Sequence, residues 1–187
     1  YTDVQGQYCY ESNYDQACVR TTGTVTAVSP TYPNFYIQDE SSDSYSGIYV
    51  HNMSPSPTLG QNITITATVN EYYSLTQLID GASFIVNSNG NSVEPTDITT
   101  GDLANGCSAT GESLESMLVR ISNVQVTQTS NEFGEWLVDD GTGACQIDDK
   151  LFDGEWLDPS LDQEFASIVG VVDYAYSAFR IFPRTMS

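Results

Sequence analysis

Ile63-Thr64-Ile65-Thr66-Ala67-Thr68-Val69 alternates apolar and polar side chains without a break. Successive side chains of a strand point to opposite faces, so this period of two, carried by β-branched residues, marks a half-buried β-strand. Working outward, the same grammar recurs. Upstream lie Thr22-Gly23-Thr24-Val25-Thr26-Ala27-Val28, then Phe35-Tyr36-Ile37-Gln38 after a Pro-bounded turn, then Gly47-Ile48-Tyr49-Val50-His51. Downstream, Ser74-Leu75-Thr76-Gln77-Leu78-Ile79 and Ser83-Phe84-Ile85-Val86 continue it. No stretch carries a sustained apolar face of period 3.6, so helix should be slight.

Residues 88–106 turn polar and rich in Gly, Asn and Ser, the signature of a connection. Strand grammar restarts at Met117-Leu118-Val119-Arg120-Ile121 and Val124-Gln125-Val126. It runs on through Glu135-Trp136-Leu137-Val138, Ala144-Cys145-Gln146-Ile147, 165–172 and Phe179-Arg180-Ile181-Phe182. The halves read as a degenerate repeat. Phe35-Tyr36-Ile37-Gln38-Asp39 answers Glu135-Trp136-Leu137-Val138-Asp139, Leu59-Gly60-Gln61 answers Leu161-Asp162-Gln163, and Glu71-Tyr72 answers Asp173-Tyr174 at matched spacing. Five short antiparallel strands in about 75 residues, with no helix to cover a sheet, must close on themselves to hide their edges. The expected fold is therefore all-β: two tandem small Greek-key, OB-like barrels over 20–92 and 113–187, a linker over 93–112, and a Tyr-rich tail over 1–19.

The chain has 187 residues, with Lys+Arg 5 against Asp+Glu 25 and a net charge of -20. Phosphate neutralisation needs cations, so nucleic-acid binding is excluded as a general activity, and an anionic membrane surface is disfavoured for the same reason. No apolar run reaches the roughly 18 residues of a membrane span, so no membrane insertion is expected. A hydrophobic content of 40% argues against wholesale disorder. A chain opening on Tyr1 reads as a secreted protein whose leader has been removed. Two sequons, Asn52-Met53-Ser54 and Asn62-Ile63-Thr64, agree with an extracellular glycoprotein. The four cysteines have no CxxC spacing, which disfavours zinc. Their economical pairing is Cys9–Cys18 and Cys107–Cys145, with four buried thiols as the competing reading.

Chemistry is sparse. His51 is the single histidine, and no serine sits in a Gly-x-Ser-x-Gly turn, so no nucleophile and base pair can be named and no enzyme is expected. No cofactor is required. Ca²⁺ is the candidate cation, through Asp39 and Asp43 or Asp139 and Asp140, although such clusters also serve as solvated acidic loops. Tyr36, Tyr49, Tyr72 and Tyr73 could form a stacking face for a neutral ligand such as a glycan, against which stands plain cross-strand packing.

The runs Gly23-Thr24-Val25-Thr26-Ala27-Val28, Phe35-Tyr36-Ile37-Gln38-Asp39 and Gly47-Ile48-Tyr49-Val50 resemble OB-fold modules found beside nuclease domains in secreted bacterial nucleases. So do Leu59-Gly60-Gln61 and Val69-Asn70-Glu71-Tyr72. In the second half the likeness is carried by Leu118-Val119-Arg120-Ile121-Ser122-Asn123-Val124, Asp140-Gly141-Thr142-Gly143 and Gly170-Val171-Val172-Asp173-Tyr174. The resemblance implies the fold over residues 20–187 and no activity, because the His-, Asp- and Asn-rich catalytic domain of those nucleases has no counterpart here. The chain is also similar, with no motif behind the likeness, to small glycosylated subunits of thin extracellular fibrils.

These readings leave contact-making as the expected role. The chain is expected to be a secreted, non-catalytic structural protein that polymerises with itself, head to tail, through Tyr1, Val4, Tyr8, Tyr10 and Tyr14 of its tail. The alternative is a monomeric OB-fold carbohydrate-binding or nuclease-accessory module.

Overall fold

A computed structural model describes residues 11–40, 44–151 and 157–187. The chain is all-β. Strands β1 (Cys18–Val28), β2 (Phe35–Gln38), β3 (Gly47–Val50), β4 (Asn62–Tyr72) and β5 (Leu75–Ile79) pair in the ring β1-β2-β3-β5-β4, and β4 returns to β1. This closes a five-stranded barrel. A sixth strand, β6 (Phe84–Ser88), pairs with β4 outside the ring. The alternation that marked β4 faces the barrel interior: Ile63, Ile65, Ala67 and Val69 are buried with Phe35, Ile37, Val50 and Leu78.

Four contacts around the ring are antiparallel, but β3 and β5 run parallel, Tyr49 opposite Gln77 and Val50 opposite Leu78. The all-antiparallel expectation is corrected by parity. Directions that alternate at every step cannot close a ring with an odd number of strands, so one contact must be parallel.

The second sheet contains β7 (Thr96–Asp97), β8 (Leu118–Gln128), β9 (Glu135–Asp139), β10 (Cys145–Asp148), β11 (Glu164–Ala175) and β12 (Ala178–Met186). Here β8 pairs with β9, β9 with β10, β10 with β12 in parallel, β12 with β11, and β11 with β8. Each contact has its counterpart in the first sheet. The short β7 lies parallel to β8. Among the described residues helix is confined to a 3-10 turn at Thr100–Asp102 and to α1 (Ala109–Leu114). Ser108 caps α1, its Oγ accepting from the Gly111 N–H at 3.0 Å. The stretch expected as a linker is thus structured, and it buries Thr100 and Leu103.

The halves are joined by a shared core. Strands β2 and β3 are buried on both faces. Phe35, Ile37, Ile48 and Val50 fill the barrel, while Tyr36 and Tyr49 pack outward against residues of the second half such as Met117 and Tyr174. Polar bonds cross the same interface. The Leu118 N–H donates to Gln38 Oε1 (2.8 Å), Tyr36 Oη donates to Asp173 Oδ1 (2.9 Å), and the Tyr45 N–H donates to the Ser113 carbonyl (2.7 Å). Buried polar groups need such partners, and each bond needs both halves in place.

Two expectations change. Cys18 is an exposed free thiol and Cys145 a buried one, so neither expected disulfide forms. Cys18 opens β1 opposite Thr68, and Cys145 faces the core opposite Val138 on β9, positions dictated by strand register. The described part of the tail also belongs to the first barrel. The Gln16 N–H donates to the Val69 carbonyl (2.8 Å), the Ser12 N–H donates to Glu71 Oε1 (2.9 Å), and β1 begins at Cys18. Tyr1, Val4, Tyr8, Cys9 and Tyr10 lie outside the described residues.

Candidate functional site

A cleft of about 1270 Å³ opens between the halves. Among the described residues six tyrosines line it: Tyr32 before β2, Tyr49 on β3, Tyr72 and Tyr73 at the β4–β5 hairpin, and Tyr174 and Tyr176 at the β11–β12 hairpin. Polar groups interleave with them, among them Asn34, His51, Gln77, Asn105, Lys150 and Asp173.

The two hairpins reach the cleft by the same local structure. Tyr72 pairs with Leu75 and Ala175 with Ala178, leaving two-residue turns at Tyr73-Ser74 and Tyr176-Ser177. All four turn residues have positive φ: 51° and 67° in the first turn, 52° and 62° in the second. This is the primed-turn geometry that matches strand twist, and it ordinarily selects Asn or Gly. A tyrosine there is strained by about 1–2 kcal/mol. Both strained rings also project into solvent, Tyr73 81% exposed and Tyr176 92% exposed. Tyr73 meets Tyr72 edge-on at 4.8 Å, and the Arg180 guanidinium lies 5.8 Å from the Tyr176 ring. Local stability would favour Asn-Gly in both turns. Both hairpins instead carry a strained, exposed tyrosine at the rim of one cleft.

The floor of the cleft is electrostatically distinct from its rim. Asp173 is buried, and burial raises its carboxyl pKa, opposed by the Lys150 charge and by the hydrogen bond from Tyr36. Burial, then the Asp173 charge, pushes the Tyr36 and Tyr49 phenols upward, so both remain protonated donors at neutral pH. His51 stands exposed just past β3, with its Nδ1 3.5 Å from Tyr49 Oη. The cleft therefore offers flat aromatic faces interleaved with hydrogen-bonding groups, the Lys150 and Asp173 side chains among them, an arrangement suited to holding an extended chain.

Of the four tyrosines expected on a ligand face, the structure brings Tyr49, Tyr72 and Tyr73 to the cleft. Tyr36 is 3% exposed and packs into the interface between halves. Tyr14 is half-exposed, beside the Ser12 turn on the first barrel. Sequence reasoning missed Tyr174, Tyr176 and Lys150. The matched pair Glu71-Tyr72 and Asp173-Tyr174 contained the signal for the first two.

Asp139 and Asp140 of the acidic loops engage in hydrogen bonds. Asp139 Oδ1 accepts from the Gly141 and Gly143 N–H groups (2.6 and 3.1 Å). Asp140 accepts from the Thr100 N–H and hydroxyl (3.1 and 2.8 Å), tying the 3-10 turn to the β9–β10 loop. Burial would raise the Asp140 pKa, but bonds from Thr142 and Thr100 outweigh it and the net shift is downward. The Asp39 N–H donates to the Ser46 carbonyl (2.9 Å), and Asp43 lies outside the described residues. Among the described residues no group of three or more His, Cys, Asp or Glu is placed to hold a metal ion. Of the sequons, Asn52 is exposed. The Asn62 amide is engaged, donating to Thr24 Oγ1 (3.2 Å) and accepting from Asn87 Nδ2 (2.9 Å).

No protein-family model matches the chain, and no curated protein is similar to it.

Proposed function

We propose that the protein is a non-catalytic, secreted structural subunit, glycosylated, whose copies join head to tail into an extracellular fibril. Its two sheets are read as tandem OB-like barrels, and the cleft between them as the acceptor for residues 1–10 of the next copy. The observation that supports this most is the pair of strained, exposed tyrosines, Tyr73 and Tyr176, aimed into one cleft by equivalent turns. The donor segment suits such a cleft. It carries Tyr1, Tyr8 and Tyr10 and a single charged side chain, Asp3, in a chain of net charge -20. Head-to-tail contacts of this kind are heterologous and propagate as filaments when the rotation does not close.

Deleting residues 1–8 should leave a folded monomer that forms no fibrils, judged by electron microscopy and light scattering. Tyr73→Ala with Tyr176→Ala should weaken assembly by about 5- to 150-fold in critical concentration, since two stacked rings are each worth about 0.5–1.5 kcal/mol. Fibrils of unchanged abundance from both variants would sink the reading. The alternation of aromatic faces with the amides of Asn34, Gln77 and Asn105 favours a second reading, a monomeric module binding a neutral glycan. Saturable binding of a free oligosaccharide by a monomer, lost in the same double variant, would favour it.

A further inference from the structure

Behind the cleft, at the base of the β4–β5 hairpin, a carboxyl group from β4 meets two from α1 and its C-terminal cap. Glu71 is the penultimate residue of β4, Glu112 lies on α1, and Glu115 follows α1 directly. Thr76 on β5 bridges two of them. Its N–H donates to Glu115 Oε1 (3.0 Å) and its hydroxyl to Glu71 Oε1 (2.7 Å). The second oxygens, Glu71 Oε2 and Glu115 Oε2, are both buried and have no hydrogen-bond partner. Glu115 is 6% exposed. Two buried carboxylate oxygens left unpaired beside a third carboxylate could not all stay ionised without large cost, and a proton on one supplies the missing donor.

We propose that Glu71, Glu112 and Glu115 form a proton-operated latch between the two halves of the molecule. Protonated, the cluster holds the β4–β5 hairpin, with Tyr72 and Tyr73 at its tip, against the second half. Ionised, the carboxylates repel one another, the hairpin base loosens, and the tyrosine cleft loses its shape.

The surroundings agree. The charged groups facing the cluster are acidic on every side: Glu11 and Asp15 from the segment before β1, and Asp173 from β11. The phenols of Tyr36 on β2 and Tyr174 on β11 also feel Glu115, and neither supplies a positive charge. Lys150 and Arg180 act on Asp173 instead. Burial first, then the Glu71 charge, raises the Glu112 carboxyl to about 8, and burial with the Glu112 charge pushes Glu115 well up. Between the ordinary glutamate value and about 8 the folded state therefore holds protons the unfolded chain lacks, so stability must fall as pH rises through that window. The depressed carboxyls, Glu135 and Asp140, act with the opposite sign but only below the ordinary range. The latch belongs to a single subunit and does not depend on what occupies the cleft.

The test is a pH series from about 5 to about 9 on the full chain, reading the thermal midpoint and backbone hydrogen exchange over 73–77. The midpoint of the wild type should fall across the series, and exchange in the hairpin, corrected for intrinsic pH dependence, should rise at least ~10-fold. Glu115→Gln keeps an acceptor for Thr76 and places a permanent donor at the orphan position, so it should at least halve both responses. Glu94→Gln, on an exposed residue, should leave them unchanged and so separates the latch from general charge repulsion. A flat or rising wild-type midpoint, or equal slopes for Glu115→Gln and wild type, would overturn the latch. Should Glu115→Gln fail to fold, carboxyl NMR of the wild type decides. A glutamate titrating near 8 supports the latch, and all three titrating below about 6 sinks it.

Discussion

Replacing Arg180 by alanine should destabilise the protein by about 3–5 kcal/mol, the range found when one member of a buried ion pair is removed. The Arg180 side chain is 4% exposed and reaches three acceptors on separate segments. Its Nη1 lies 2.7 Å from Glu135 Oε1 on β9 and 3.1 Å from Asp148 Oδ2 on β10, and its Nη2 donates to the Ala175 carbonyl at 2.8 Å. Alanine would leave Asp148 and Glu135 facing each other with no cation between them and would free the carbonyl that begins the β11–β12 turn. The effect should extend beyond stability, because the guanidinium also lies beside the Tyr176 ring at the cleft rim. Arg180→Lys retains the charge without the fork and should lose a smaller part. Urea midpoints at constant m-value measure both. A loss under about 1 kcal/mol for Arg180→Ala would mean that water replaces the guanidinium at no cost, against the burial shown.

The fold was largely legible because strands that face one core carry their pattern in adjacent residues. Ile63 to Val69 alternate in the chain and alternate in burial. The match of Leu59-Gly60-Gln61 with Leu161-Asp162-Gln163 was legible as residues, and the structure adds matching bonds. Gly60 and Asp162 occupy the same left-handed turn, at φ 77° and 63°. Their N–H groups donate to Val25 and Val126, and Gln61 and Gln163 side chains accept from Thr58 and Ser160 at 3.0 Å in each copy. Interactions between the halves left no such trace. Tyr36 reads as an outward strand residue, and outward is where it points, but the surface it meets comes from the second half of the chain. Asp173 lies 137 positions from Tyr36 in the chain. Glu71, Glu112 and Glu115 are unremarkable acids until the fold closes over them. The cysteines misled for the same reason: spacing favours neighbours, whereas strand register sends Cys18 to solvent and Cys145 into the core.

The interface between halves should also be highly sensitive to a single added methyl group. Gly47 opens β3, and a Cβ there would overlap the backbone carbonyl of Ser116, which cannot swing aside as a side chain could. Its φ is not left-handed, so the glycine is required by close approach and not by backbone conformation. Gly47→Ala must therefore push the first barrel off the second half. The Leu118 to Gln38 and Tyr36 to Asp173 bonds, at 2.8 and 2.9 Å, have little slack and should break together. Two buried polar groups would then lose partners, at about 1–3 kcal/mol each, on top of the overpacking itself. Wild-type protein should unfold in one calorimetric transition, because Tyr36, Tyr49, Leu75 and the second-half residues share one core. The variant should split into two transitions, each half melting on its own, with the total loss at the interface exceeding about 3 kcal/mol. The cleft is built by both halves, so the fibril formation proposed above should fail in the variant even at temperatures where each half remains folded. A single transition at the wild-type midpoint would show that the halves can slide by an ångström without consequence, and the cleft could not then be a shaped site.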